Sequence, residues 1–139
     1  MEEVVDSPVG WVAKQMKAYV ESGRTMHYGR ETLLLTTRGR RSGKLRRTAL
    51  FYGTHGSAYV VVGSNGGSSG DPLWCRNVAA DPAVTVQVGA DIFPARARLA
   101  TAAERPALWE LMNGIFPTYA SYEKKSGRQL PVVVLERAA

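Results

Sequence analysis

The positively charged residues of this chain are concentrated in one short segment. No acidic residue lies between residues 32 and 70, whereas six basic residues do: Arg38, Arg40, Arg41, Lys44, Arg46 and Arg47. Elsewhere twelve basic residues balance twelve acidic ones, so the formal net charge of +6 belongs to this segment. The arginine fork matches phosphate and carboxylate groups, and Ser42 adds a hydroxyl. Unless it is a solvated turn, the segment predicts a site for a phosphate, a polycarboxylate, a nucleic acid or an acidic lipid.

Two aromatic features could complete such a site. Trp74 falls in the first turn of a predicted helix that follows the glycine- and serine-rich residues 64–70. Its ring could cover a flat heterocycle, or it could pack in the core. Tyr119 and Tyr122 are three residues apart and share a helical face. Their phenols are protonated at pH 7 and could stabilise negative charge on a reduced substrate oxygen, or they could simply fill a surface groove.

Other kinds of catalytic site find little support in the sequence. His27 and His55 have no metal-ligand spacing with another His, Cys or carboxylate, so no metal site is expected. Residues 64–70 lack the lysine of a phosphate-binding loop. Cys75, the one cysteine, is expected to be a small buried residue, and it cannot form an internal disulfide. The sequence therefore favours chemistry carried by a bound cofactor.

The pattern of strands and turns predicts a mainly β protein with peripheral helices. Six strands are expected at residues 32–37, 45–52, 58–63, 84–88, 92–99 and 130–135. Pro94 argues for an edge or a bulge in the fifth of them. We expect an antiparallel sheet closed into a small barrel, which leaves no strand edge exposed.

Four helices are predicted around this sheet. One covers residues 8–21 and either packs on the domain or rests on a membrane surface. Another spans residues 71–80, with Asp71 as its N-cap and Pro72 in its first position. A capping box at residues 101–104 begins the third, Pro117 breaks it, and a fourth follows around residues 119–126.

These motifs together resemble the deazaflavin-dependent nitroreductase family, including its F420H2-dependent quinone reductase-like members. The resemblance covers residues 33–135 and rests on the matching runs at residues 34–43, 64–67, 71–74, 116–122 and 131–134, together with Asn77. It implies a split β-barrel related to flavin-binding barrels, in one domain over residues 1–139 with a helical segment at 1–28 and the barrel at 29–139. It also implies coenzyme F420 as the hydride source.

The resemblance assigns roles to particular residues. The phosphate and polyglutamate tail of the coenzyme would meet Arg40, Arg41, Ser42, Lys44 and Arg46. The deazaflavin would be lined by Arg47, Thr48, Ala49, Leu50, Phe51, Val62, Gly63, Ser64 and Asn65, and closed on its other side by Leu73, Trp74, Cys75, Arg76 and Asn77. Ser64, Tyr119 and Tyr122 would lie near the reacting end as catalytic residues.

Some positions depart from the family pattern. Phe51 and Phe116 stand where nitroreducing members can have tyrosine, Asn65 stands where lysine is common, and Lys44-Leu45 replaces a pair that more usually ends in proline. Coenzyme binding should survive these changes, whereas fewer phenols remain for reducing nitro compounds.

We therefore expect an F420-dependent oxidoreductase of the quinone reductase or nitroreductase type. It would transfer a hydride to a small conjugated acceptor such as a quinone, an enone or a nitro compound. The alternatives are an FMN- or haem-binding barrel and a nucleic-acid-binding barrel, although residues 38–47 lack the interleaved aromatic residues that single strands stack on.

The sequence also bears on location. The longest apolar run, residues 58–62, is far shorter than the roughly 20 residues that span a bilayer. The N-terminus carries acidic residues where a signal peptide would be basic. The expected location is the cytoplasm, with the inner face of the membrane as the alternative if the first helix rests there. The oligomeric state is left open.

Overall fold

The structure is a computed structural model that describes residues 4–6, 26–27, 30–64 and 70–138. The helix expected at residues 8–21 and the predicted cofactor contact Asn65 lie outside these ranges. The strands are β1 (Val4–Asp6), β2 (Met26–His27), β3 (Arg30–Arg38), β4 (Leu45–Phe51), β5 (Gly53–His55), β6 (Ala58–Val62), β7 (Ala83–Val88), β8 (Asp91–Leu99) and β9 (Val132–Arg137). The helices are α1 (Leu73–Ala80), α2 (Arg105–Ile115) and α3 (Thr118–Ser126).

The strands form one curled sheet with the order β1-β4-β3-β7-β8-β9-β6-β5, and β2 pairs with β3. The pairs are antiparallel except β1 with β4, and β4 also approaches β6. The predicted mainly β split barrel is confirmed. The expectation of full closure is wrong, because the described sheet ends at β1 and β5 and curls into a half-barrel.

Two apolar cores lie on opposite faces of β6 and β9. The inner core contains Leu33, Leu35, Val61, Val86, Val133 and Leu135, and Trp74 and Cys75 of α1 cover it. The outer core contains Phe51, Val60, Val62, Val132 and Val134, covered by Leu108 and Met112 of α2 and Tyr119 of α3. Because alternate residues of a strand face opposite sides, the valine-rich runs of β6 and β9 supply both cores.

Several element boundaries differ from the sequence prediction. The N-cap of α1 is Pro72, which makes no side-chain hydrogen bond, and the helix begins at Leu73. Asp71 is therefore not the cap, because its carboxylate is bound by Arg128. The final strand begins two residues later than expected, at Val132.

The capping box is confirmed by its hydrogen bonds. Thr101 N donates to Glu104 Oε1 at 2.9 Å, and Glu104 N donates to Thr101 Oγ1 at 3.2 Å. The box forms a turn that precedes α2 rather than its first helical residues, because the helix begins at Arg105. The helix break at Pro117 is confirmed as well, since α2 ends at Ile115 and α3 begins at Thr118.

Pro94 lies in β8, which has β7 and β9 on its two sides, so the expectation of an edge strand is wrong. The proline is tolerated because it lies beyond the last rung between β8 and β9. That ladder begins at Ala95, paired with Arg137, and the carbonyl of Pro94 accepts one further bond from Ala138 N at 3.0 Å. Its missing N–H thus falls where the ladder stops.

Candidate functional site

Residues 38–47, named here the basic hairpin, join β3 to β4 through a tight turn. Gly39 N donates to Lys44 O at 2.7 Å, and Gly43 N donates to Gly39 O at 2.9 Å. Gly43 adopts a φ of 72°, a left-handed conformation that favours glycine. A Cβ at Gly39 would lie 2.8 Å from Ser42 Oγ and 3.2 Å from Lys44 O, so a larger residue there would push the Ser42 side chain aside. This geometry leaves five predicted cofactor residues exposed: Arg40, Arg41, Ser42, Lys44 and Arg46.

Asn77 connects this hairpin to α1. Its side-chain Nδ2 donates to Thr37 Oγ1 at 3.1 Å, and its Oδ1 accepts from Arg40 N at 3.2 Å. The residue is 5% exposed. The sequence predicted Asn77 as a coenzyme contact, whereas in the structure its amide fixes the position of the hairpin that carries the cations.

The other predicted residues of α1 have contrasting environments. Leu73 and Arg76 are exposed, whereas Trp74 and Cys75 are buried in the inner core. Burial raises the pKa of the Cys75 thiol, and the nearby Asp71 carboxylate raises it further. The thiol is therefore protonated at neutral pH, which agrees with the predicted inert cysteine. Trp74 packs in the core, which was the alternative to a role in covering the cofactor. A contact between its ring and a cofactor stays a prediction.

Gly63 joins α1 closely to the end of β6. A Cβ at this position would collide with Cys75 Sγ and lie 2.9 Å from Pro131 Cγ. The sequence predicted Gly63 as a deazaflavin contact, and the structure adds a packing reason for glycine here. The half-buried Ser64 follows directly. Val62 precedes it and is buried in the outer core.

The predicted catalytic tyrosines lie in an aromatic cluster with two phenylalanines. The ring of Phe116 is 4.9 Å from Phe51, 5.0 Å from Tyr119 and 6.2 Å from Tyr122, measured between centroids. The cluster thus brings β4 together with the junction of α2 and α3. Thr48 and Leu50 of β4 are half-buried, as is Arg47, and Ala49 is buried.

The two phenols of the cluster differ in exposure. Tyr119 is 4% exposed, and burial raises the pKa of its phenol, with a further contribution from Tyr122. Tyr122 is half-buried. Tyr119 therefore remains a protonated donor throughout the physiological range, while Tyr122 is the more exposed residue of the two.

The sequence did not predict one polar contact, which joins Arg128 to the two residues before Pro72 and α1. Arg128 follows α3, and its Nη1 forms an ion pair with Asp71, while its Nη2 donates to Gly70 O at 2.9 Å. These partners are 57 and 58 positions apart along the chain, so no local motif connects them. Asp71 and Arg128 also border a cavity of about 430 Å³ whose other lining residues are Leu99, Ala100, Arg105, Gln129, Leu130, Pro131 and Val132.

Two further features of the described residues concern metal binding and membrane insertion. Among the residues that the structure describes, no three His, Cys, Asp or Glu side chains are grouped as metal ligands. None of the helices described there has the length and hydrophobicity to cross a membrane.

Solved structures of other proteins have the same fold, and one of them is a reductase. A structure titled F420-H2 dependent reductase (FDR-A) is 31% identical, covers 98% of this chain and all of its own, and superposes with a TM-score of 0.70. A domain-swapped dimer is 34% identical with a TM-score of 0.73, and covers 94% of this chain and all of its own. The haem storage protein HutZ of Vibrio cholerae, at 16% identity and a TM-score of 0.57, shares the fold.

Sequence comparison is more specific. The F420H2-dependent quinone reductase Rv1261c of Mycobacterium tuberculosis is 35% identical over 109 residues, which are 76% of this chain and 73% of that protein. The family model described as F420H2-dependent quinone reductase matches residues 10–137. Because this match spans most of the sequence, the chain belongs to the F420H2-dependent quinone reductase family.

Proposed function

We propose that this chain uses reduced coenzyme F420 to reduce a quinone, with an enone or a nitro compound as further acceptor classes. The observation that carries the proposal is the basic hairpin. Four of its six cationic side chains are exposed, no acidic residue lies between residues 32 and 70 of the sequence, and Asn77 fixes the hairpin against α1. Family membership supports the same coenzyme.

The residues present fit the coenzyme that the family uses. Its phosphate and polyglutamate tail is anionic, and the exposed Arg40, Arg41, Lys44 and Arg46 supply cations. None of these four takes part in an ion pair between residues that the structure describes. The deazaflavin would lie along β4 and the end of β6, with the first turns of α1 on its other side. When bound, the coenzyme supplies a hydride.

The side chains of the aromatic cluster would serve the acceptor. A quinone that receives a hydride becomes a hydroquinone only after its oxygen also receives a proton. The phenols of Tyr119 and Tyr122 would donate hydrogen bonds to that oxygen, and Ser64 would orient the acceptor. Phe51 and Phe116 would exclude water and give a flat ring an apolar surface. This apolar lining favours quinones over nitro compounds.

The decisive experiment is a fluorescence titration of the purified protein with oxidised F420, FMN and haem, each alone. We expect binding of F420 only, followed by quinone reduction when the reduced coenzyme is supplied. Binding of FMN or haem without F420 would favour the rival barrel functions. Tight, salt-sensitive binding of a single-stranded oligonucleotide would favour the nucleic-acid alternative.

We infer two further properties for testing in the same preparation. Contact of the N-terminal segment with a membrane surface would be detected by sedimentation with vesicles of anionic lipid. Self-association is suggested by the similar structure that is a domain-swapped dimer, and light scattering would measure it.

A further inference from the structure

One segment, residues 128–131, contacts the chain on both sides of residues 65–69. Gly63 N donates to Pro131 O at 3.0 Å. On the other side, Arg128 Nη2 donates to Gly70 O at 2.9 Å, and Arg128 Nη1 pairs with Asp71 Oδ1. The end of β6 and the entry to α1 are therefore attached to the same short stretch of backbone.

The local structure directs Arg128 toward this corner. Gly127 ends α3 with a φ of 68°, a left-handed conformation that reverses the chain. The Arg128 side chain is 22% exposed and meets a carbonyl and a carboxylate at once. The planar guanidinium can bridge two acceptors in this way, whereas a lysine ammonium is a single point charge.

The position of α1 thus depends on a contact at each end. Arg128 holds Gly70 and Asp71, just before the helix begins, and Asn77 holds the last turn against the basic hairpin. Between them, Cys75 is packed against Gly63. Loss of the contact at either end would let the helix shift relative to β6.

We propose that Arg128 is a positioning residue for the coenzyme site, fixing the entry to α1 against the end of β6 where Ser64 lies. This proposal rests on the proposed function. Arg128 itself need not touch the coenzyme, because it acts through Asp71 and the backbone of Gly70.

The test compares Arg128→Met with Arg98→Met. Arg98 is the control, since its Nη1 also pairs with a carboxylate, Glu104 Oε1 at 2.7 Å, and donates to a backbone carbonyl, Leu99 O at 3.4 Å. These partners, and Glu136, lie outside α1 and outside residues 128–131. Arg128→Lys keeps the positive charge beside Asp71 but cannot bridge both acceptors with a planar group. If Arg128→Met does not fold, Arg128→Lys is compared with the control in its place.

Two quantities would be measured for each variant. The first is the rate at which a thiol reagent labels Cys75 in the coenzyme-free protein, a clean signal because the chain has one cysteine. The second is the dissociation constant for oxidised F420. We expect Arg128→Met to raise both about tenfold, because α1 opens locally more often, with Arg128→Lys in between and Arg98→Met near wild type.

The outcomes separate this proposal from the proposed function. Equal labelling and equal affinity in the two Met variants would overturn the role of Arg128. Failure of the wild-type protein to bind F420 would overturn the proposed function, and labelling alone would then decide whether Arg128 positions α1.

Discussion

The side-chain amide of Asn77 donates a hydrogen bond to Thr37 Oγ1 across 3.1 Å, in a buried contact that joins α1 to β3. The same amide accepts from Arg40 N, so the basic hairpin cannot move far without breaking it. If the hairpin binds an anionic tail as we propose, its affinity for that tail should depend on this buried residue of α1.

Replacing Asn77 with leucine should reveal this dependence. The change leaves the buried Thr37 Oγ1 and the part-buried Arg40 N without their hydrogen bonds, so we expect the free energy of unfolding to fall by about 1–3 kcal/mol. The dissociation constant for F420 should rise several-fold, as measured by fluorescence titration. Asn113→Leu is the control, because its amide also makes two hydrogen bonds, to Trp109 O and from Ala120 N, away from the hairpin. An unchanged affinity in Asn77→Leu would contradict the link.

Neutralising the exposed cations of the basic hairpin should affect binding but not folding. Each of Arg40→Gln, Arg41→Gln, Lys44→Gln and Arg46→Gln is expected to weaken F420 binding by roughly 1 kcal/mol, about fivefold, and to flatten its salt dependence. The melting temperature should stay near wild type. Arg96→Gln, an exposed cation on β8, provides the control. Wild-type affinity in all four variants would show that the tail lies elsewhere.

The contact between Gly63 and Cys75 leaves no space for a methyl group. Gly63→Ala would place its Cβ against Cys75 Sγ and near Pro131, and we expect a destabilisation of about 1–3 kcal/mol. Adding Cys75→Ala should recover part of that loss, since the clashing sulfur is removed. Urea denaturation of the two single variants and the double variant forms a double-mutant cycle. If the destabilisation of the double variant equals the sum of those of the two single variants, α1 does not pack against Gly63 in this way.

The two tyrosines of the aromatic cluster should contribute to turnover more than to binding. We expect Tyr119→Phe and Tyr122→Phe each to lower kcat about tenfold or more, with little change in the dissociation constant for F420. Steady-state kinetics with a soluble quinone and a parallel titration would measure both. If Tyr119→Phe weakened binding as much as turnover, its role would be structural.

Glu104 makes stability depend on pH at the start of α2. Its hydrogen bonds with Arg98 and Thr101 lower the pKa of its carboxyl from 4.5 to about 2. The folded state thus holds this carboxylate more strongly than the unfolded state, and the stabilisation is present above pH 4.5 and lost as pH falls toward 2.

Glu104→Gln should therefore melt below wild type at pH 7, and the difference should shrink as the pH falls from 4.5 to 2. Thermal melts followed by circular dichroism measure this, with the exposed Glu110→Gln as the control. A difference that persists at pH 2 would show that charge is not the cause.

The sequence alone determined the features that depend on neighbouring residues. The basic hairpin, the capping box at Thr101 and Glu104, and the helix break at Pro117 each follow from the side chains and backbone preferences of a few adjacent positions. Alternating apolar residues similarly predicted the strands. Together with the resemblance to a known family, these patterns were enough for the split barrel and for the coenzyme class.

Only the tertiary structure decided which partners the polar groups of α1 find. Asp71 lies where the sequence predicts an N-cap, but its carboxylate binds Arg128. The Asn77 amide donates a hydrogen bond to Thr37 within the protein. Burial of Tyr119 beside Phe116 was equally invisible along the chain. Each of these outcomes depends on how elements pack, and Asp71 and Asn77 meet partners 37 or more positions away. Local propensity carries no information about such distant contacts.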